Sequence, residues 1–180
     1  ISDVLPLKEQ LNQIRDELHR YVETGGLFIA LLDENRQEIY FPLAYHRNKL
    51  VATLDQRPDP RYRSTPLGER NGMVEWVFTQ RAALLVPHYE RWPERHQFLN
   101  EERSDLRSCL VVPLISKDRV VGAIGVRSYD PTIRFDEYDK RFVEMLANHV
   151  ATIIVNSQLY DQRVNELQAV SRFQEQIAGL

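Results

Sequence analysis

A single cysteine, Cys109, stands in the whole chain, so no disulfide can form within it and a reducing compartment fits. No apolar run approaches the ~18–20 residues of a membrane-spanning helix, and no signal-peptide pattern opens the sequence. A cytoplasmic segment without membrane contact is therefore expected. There is no excess of positive charge either. Lys and Arg total 23 against 26 Asp and Glu, for a net charge of −3, which leaves no electrostatic footprint for nucleic acid. Internal repeats and low-complexity stretches are absent, as are GxSxG, HExxH, P-loop and GxGxxG patterns. The five histidines (His19, His46, His88, His96, His149) show no metal-ligand spacing with Cys109 or the acids. No metal, cofactor or catalytic residue is expected from this inventory. The chain begins with Ile1, which reads as a piece of something longer.

What is present is an ordinary globular composition, 43% apolar and 27% charged over 180 residues. Val4, Leu7, Leu11, Ile14, Leu18, Tyr21 and Val22 recur at helical spacing, with Pro6 suited to the first turn and Gly25–Gly26 as the stop. The run from Leu27 to Leu32, the polar turn 33–36 and the run from Glu38 to Tyr45 predict a hairpin. Pro42 cannot donate to a ladder, so it marks an edge or a bulge. Residues 46–68 read as loop with a short strand near Leu50–Leu54. Asn71 is placed to cap a short helix buried through Met73, Val74, Trp76, Val77 and Phe78. Leu84–Val86 is a short strand, and 87–107 a charged, aromatic loop with a helical turn or two.

Ser108–Ile115 and Val120–Ser128 predict a second hairpin, apolar on nearly every central residue and hence covered on both faces. Pro113 implies that the first of these strands is at an edge or bulged there. After Asp136, a candidate helix cap, the chain holds no proline, and no glycine before Gly179. A helix of that length spans roughly 66 Å, about twice the width of a small domain. Two heptad columns run along it, Val143, Val150, Ser157, Val164, Ser171 and Ala178 beside Leu146, Ile153, Tyr160, Leu167 and Gln174. Its distal half needs a partner, most simply the same helix of a second copy.

The stretch 108–126, then Phe135, Asp139 and the helix from Phe142 to Asn156, resembles the second half of a GAF domain. Leu27–Tyr45 and Val74–Val86 match the first half in order and spacing. The resemblance implies an α+β fold with a six-stranded antiparallel sheet, terminal helices on one face and a ligand cavity under loops on the other. It also implies a regulatory segment of a larger signalling protein, dimeric through its terminal helices.

Within that family the cyclic-nucleotide signature is only half present: Phe135 and Asp139 keep their spacing, but Ser128-Tyr129 and Lys140 replace the remaining residues. Cys109 is followed by Leu110 and not by the histidine of bilin-binding members. One cysteine cannot complete the cycle of the methionine-sulfoxide-reducing members. His88 and His96 read as solvated loop residues and not haem ligands, and the pairs Glu101-Glu102 and Asp136-Glu137 as solvated surface. The aromatic, mildly basic region 46–107, with 11 Lys and Arg against 9 Asp and Glu, is the better place for a pocket. Tyr45, Trp76, His88, Tyr89, Trp92, Arg107 and Arg127 are the candidate ligand residues. Leu146, Val150, Ile153, Tyr160, Val164 and Leu167 are the candidate dimer seam. The expected organisation is an N-terminal helix at 1–24, a sensory domain at 25–156 and a coiled-coil extension at 157–180. The expected role is a two-component-type sensor module binding an unknown small molecule as a homodimer and driving a kinase, cyclase or similar output domain. The alternative is a structural dimerisation relay whose pocket is filled by Met73, Trp76, Tyr89 or Trp92.

Overall fold

The computed structural model describes residues 5–21, 25–47, 49–54, 57–68, 72–98 and 105–180. The proposed cap Asn71, the helix positions Val4 and Val22, and the pair Glu101-Glu102 lie outside them. Helix α1 (Leu7–Tyr21) opens on Pro6, whose carbonyl accepts from the amides of Glu9 and Gln10, and buries Leu11, Ile14 and Leu18. Strands β1 (Gly26–Asp33) and β2 (Glu38–His46) form the first hairpin, followed by β3 (Lys49–Thr53) and the two-residue β4 (Thr65–Pro66). Helix α2 (Met73–Gln80) precedes β5 (Leu84–Val86). Two 3-10 turns, Tyr89–Arg91 and Pro93–Gln97, lead to the second hairpin, β6 (Ser108–Ser116) and β7 (Arg119–Ser128). Helix α3 (Glu137–Ala178) ends the chain.

The strands make one antiparallel sheet in the order β3-β2-β1-β7-β6-β5, with β4 added on β2, seven strands where six were expected. The extra one is a pair of residues that only tertiary contact could reveal. Period-two alternation divides the sheet cleanly. Leu27, Ile29, Leu31, Leu110, Val112, Ile124 and Val126 point to α1 and α3, whereas Phe28, Ala30, Cys109, Val111 and Ala123 point to the other face, under α2 and the loops. Both prolines sit where a missing amide is harmless. Phe41 and Pro42 together oppose Ala30, forming a bulge. Pro113 lies past the end of β5, where β6 has become an edge. The β6–β7 turn uses Lys117 and Asp118, both at positive φ, the pair a two-residue hairpin turn requires.

Helix α3 starts on a capping box: the Asp136 carboxylate accepts from the amides of Tyr138 and Asp139 while Asp139 accepts from the amide of Asp136. Its first half covers β6 and β7 through Val143, Leu146, Ala147, Val150, Ala151 and Ile154 and packs beside α1. Beyond Asn156 it leaves the globule.

Candidate functional site

The face of the sheet under α2 and the loops is built around a glycine. Gly125 on β7 pairs directly with Phe28 on β1, and a methyl group there would sit 2.2 Å from the Phe28 ring. The missing side chain lets the ring lie across β7. Arg127, two residues on and so on the same face, stacks its guanidinium over that ring at 4.8 Å from the centroid. Arg127 also donates to the Tyr62 hydroxyl at 3.3 Å. It is 4% exposed, the one charged side chain among the described residues that is buried. Phe41 packs edge-on against both Phe28 and Tyr62, completing an aromatic surround. At the rim, Tyr129 bonds His46 at 3.1 Å and lies under the Arg47 guanidinium, which pairs with Asp105. Burial favours the neutral form of Asp105, yet its hydrogen bond to Arg47 holds the carboxyl below its usual range.

The loop side is bolted down by a residue the sequence did not single out. Arg134 forms a two-pronged ion pair with Glu90, at 3.0 and 2.7 Å, and donates to the carbonyl oxygens of Pro87 and Arg107. The guanidinium holds the Glu90 carboxyl down at about 2. Ser108, fully buried, donates to the Val86 carbonyl and accepts from the Phe135 amide, tying β5 and the start of α3 to β6. These anchors fix the 3-10 turns so that Tyr89 and Phe98 are buried against the sheet, with Trp92 stacked on Phe98 at 5.1 Å. Between α2 and the second turn runs a groove of about 270 Å³ lined by Trp76, Glu75, Gln80, Gln97 and Phe98.

Of the candidate ligand residues, Trp76, Tyr89, Trp92 and Arg127 converge on this one face. Tyr45 does not: it packs on the helix-covered face, where Arg15 of α1 donates to its hydroxyl. His88 is exposed. Arg107 is held by its backbone, its amide donating to Ser128 and its carbonyl accepting from Tyr89, with its side chain half-buried. Phe28 and Phe41 went unremarked as site residues because apolar strand residues carry no local sign of convergence, whereas Tyr62 lies in the aromatic region 46–107. Met73 and Tyr89 are buried in the same cluster, with the Met73 sulfur 3.6 Å from the Cys109 thiol. Among the described residues no three His, Cys, Asp or Glu side chains are placed to hold a metal.

The candidate seam divides in two. Leu146 and Val150 are consumed in the chain's own core and face the sheet, so they are not available to a second helix, and Ile153 packs at the core's margin. The heptad columns therefore cross two different surroundings on one helix, buried on the sheet before Asn156 and largely exposed beyond it. Tyr160 and Leu167 are 60% and 65% exposed, with Leu159, Val170, Phe173 and Ile177 also exposed beside them. No helix among the described residues is long and apolar enough to cross a membrane.

A family model described as the GAF domain matches residues 6–154. The circadian input-output histidine kinase CikA of Synechococcus elongatus is 28% identical over 101 residues. That alignment takes in 53% of this chain and 13% of the kinase, so the chain spans a small fraction of that relative's length. Among solved structures, the GAF domain of a two-component sensor histidine kinase from Bacillus halodurans superposes with a TM-score of 0.63 at 22% identity, covering 88% of this chain and 99% of that one. Free methionine-R-sulfoxide reductase from Neisseria meningitidis, solved with its substrate, gives 0.64 at 19% identity over 88% and 84%. At these identities the likeness is one of fold.

Proposed function

The chain belongs to the GAF domain family, and we propose that it is a cytoplasmic, non-catalytic sensor that binds a small molecule on the face of its sheet under α2 and the loops. Occupancy is relayed through α3 of a homodimer to an output domain, a kinase or similar, elsewhere in the full protein. Family membership supports a signalling sensor module, and a histidine kinase stands among its relatives. The observation that carries the relay is the continuity of α3. One unbroken helix has six residues buried on the sheet and then projects an exposed apolar stripe away from it. A shift in the sheet or its loops is thereby passed to residues 157–180, which form the signalling extension.

The proposed ligand lies against Arg127, Tyr62 and Phe28. A buried guanidinium in an aromatic surround suits a planar or carbonyl-bearing molecule, because it offers directional donors in an otherwise apolar wall. Catalysis has little support, since the one cysteine is buried beside Met73. A second reading, a structural relay with a filled pocket, is favoured by the burial of Met73 and Tyr89 in the same cluster. Native mass spectrometry beside a denatured spectrum separates the two. The sensor reading predicts a dimer carrying extra non-covalent mass, which Arg127→Gln diminishes. Bare dimers that take up nothing from a metabolite extract would favour the relay.

A further inference from the structure

On the other face of the sheet, beneath α1, lies a second groove that the sensor reading does not use. We propose that it is a binding site for short-chain organic carboxylates.

Two irregularities of neighbouring strands open it. In β2 the bulge at Phe41–Pro42 turns both Pro42 and Leu43 toward α1. In β3 the register slips at Val51, so that Leu50 and Thr53 face the groove while Val51 and Ala52 face away. Bulges bend and twist a strand pair locally. The space left is about 190 Å³, roughly six waters' worth of liquid volume. That suits a molecule with a short aliphatic tail.

The chemistry of the walls selects the ligand. Lys8, Leu11, Asn12 and Arg15 stand at i, i+3, i+4 and i+7, one face of α1. Leu11 and Leu43 form an apolar floor, and Leu50, 44% exposed, forms an apolar lip. The polar lining is cationic or neutral, and no carboxylate lines the groove among the described residues. Arg15 is held in place because its guanidinium lies over the Tyr45 ring, 4.8 Å from the centroid, and donates to the Tyr45 hydroxyl. Its outer edge reaches Asp16 through Nε and one terminal nitrogen. Those three bonds leave two of its five N–H groups available to an incoming carboxylate. Asn12 and Thr53 supply further hydrogen-bonding groups. A carboxylate head on the two remaining N–H groups of Arg15, with its tail over Leu11, Leu43 and Leu50, uses the donors and the apolar area together. Because α1 packs against α3, a ligand wedged here acts on the same output helix from the opposite side of the sheet.

The test is a titration of the intact chain, followed by amide NMR, with sodium hexanoate against hexylamine and hexanol of matched length. The site predicts saturable shifts at Asn12, Arg15, Leu43 and Leu50 with hexanoate, and binding about tenfold weaker or worse for the amine and the alcohol. Arg15→Gln weakens hexanoate about tenfold. Leu50→Glu, a change at an exposed position that leaves the core intact, weakens it comparably by placing a like charge at the lip. An equal response to hexylamine, no saturable shift, or shifts centred on Phe28, Val111 and Arg127 would overturn the proposal. The last outcome would place the carboxylate in the sensor pocket, so the two sites succeed or fail separately.

Discussion

At the scale of single residues, the face under α2 and the loops depends on what is missing from Gly125. Gly125→Ala drives a methyl group into the buried Phe28 ring and through it disturbs the Arg127 stack. Overpacking of this kind costs about 1–3 kcal/mol. Denaturant unfolding should show that loss, and an unchanged midpoint would mean the ring is not seated as described. Glu90 offers a pH test. Its folded-state carboxyl sits at about 2, below its ordinary 4.5, so its pairing with Arg134 stabilises the fold fully above that ordinary value. The contribution is lost as pH falls from about 4.5 toward 2. Glu90→Gln should therefore melt lower than wild type at pH 6, with the gap closing on acidification. A gap independent of pH would contradict the assignment. None of this was legible from sequence. Neither the ring that Gly125 admits nor the partners of Arg134 carries a local signature in the sequence. That Tyr89 and Trp92 pack toward the sheet was legible, because aromatic loop residues opposite an apolar sheet have few other places to go.

At the scale of elements, the hairpins and helices were readable from periodicity and from the punctuation of proline and glycine. Pro42 and Pro113 marked a bulge and an edge correctly because a missing donor leaves few alternatives. The cap of α3 was equally plain. Asp136→Ala removes the acceptor for the Tyr138 and Asp139 amides and should cost about 1 kcal/mol, measurable by thermal unfolding. Tyr45, named as a candidate ligand residue, packs toward α1, because the bulge at Phe41–Pro42 falls before it and a one-residue irregularity exchanges faces for everything beyond. The heptad columns misled in a similar way. An amphipathic stripe that packs on a sheet and one that packs on a second helix share the same spacing, so Leu146 and Leu167 looked equivalent. They should respond differently to the same change. Leu146→Asp buries an unpaired carboxylate in the core and should unfold the chain, seen as loss of the cooperative melt. Leu167→Asp should leave the fold intact.

At the scale of the whole molecule, the proposed relay rests on one division along α3: six residues buried on the sheet, then an exposed stripe after Asn156 that is proposed to meet a second copy. Tyr160, Val164 and Leu167 have no business being apolar on a helix that stays in water, whereas in a parallel pair they meet their own copies across the seam. The most direct test is sedimentation equilibrium of the wild-type chain and Leu167→Asp at matched concentration, with circular dichroism to confirm folding. The account predicts a dimer for the wild type and a folded, largely monomeric variant. A wild-type monomer, or a Leu167→Asp dimer as tight as wild type, would contradict the seam and with it the relay.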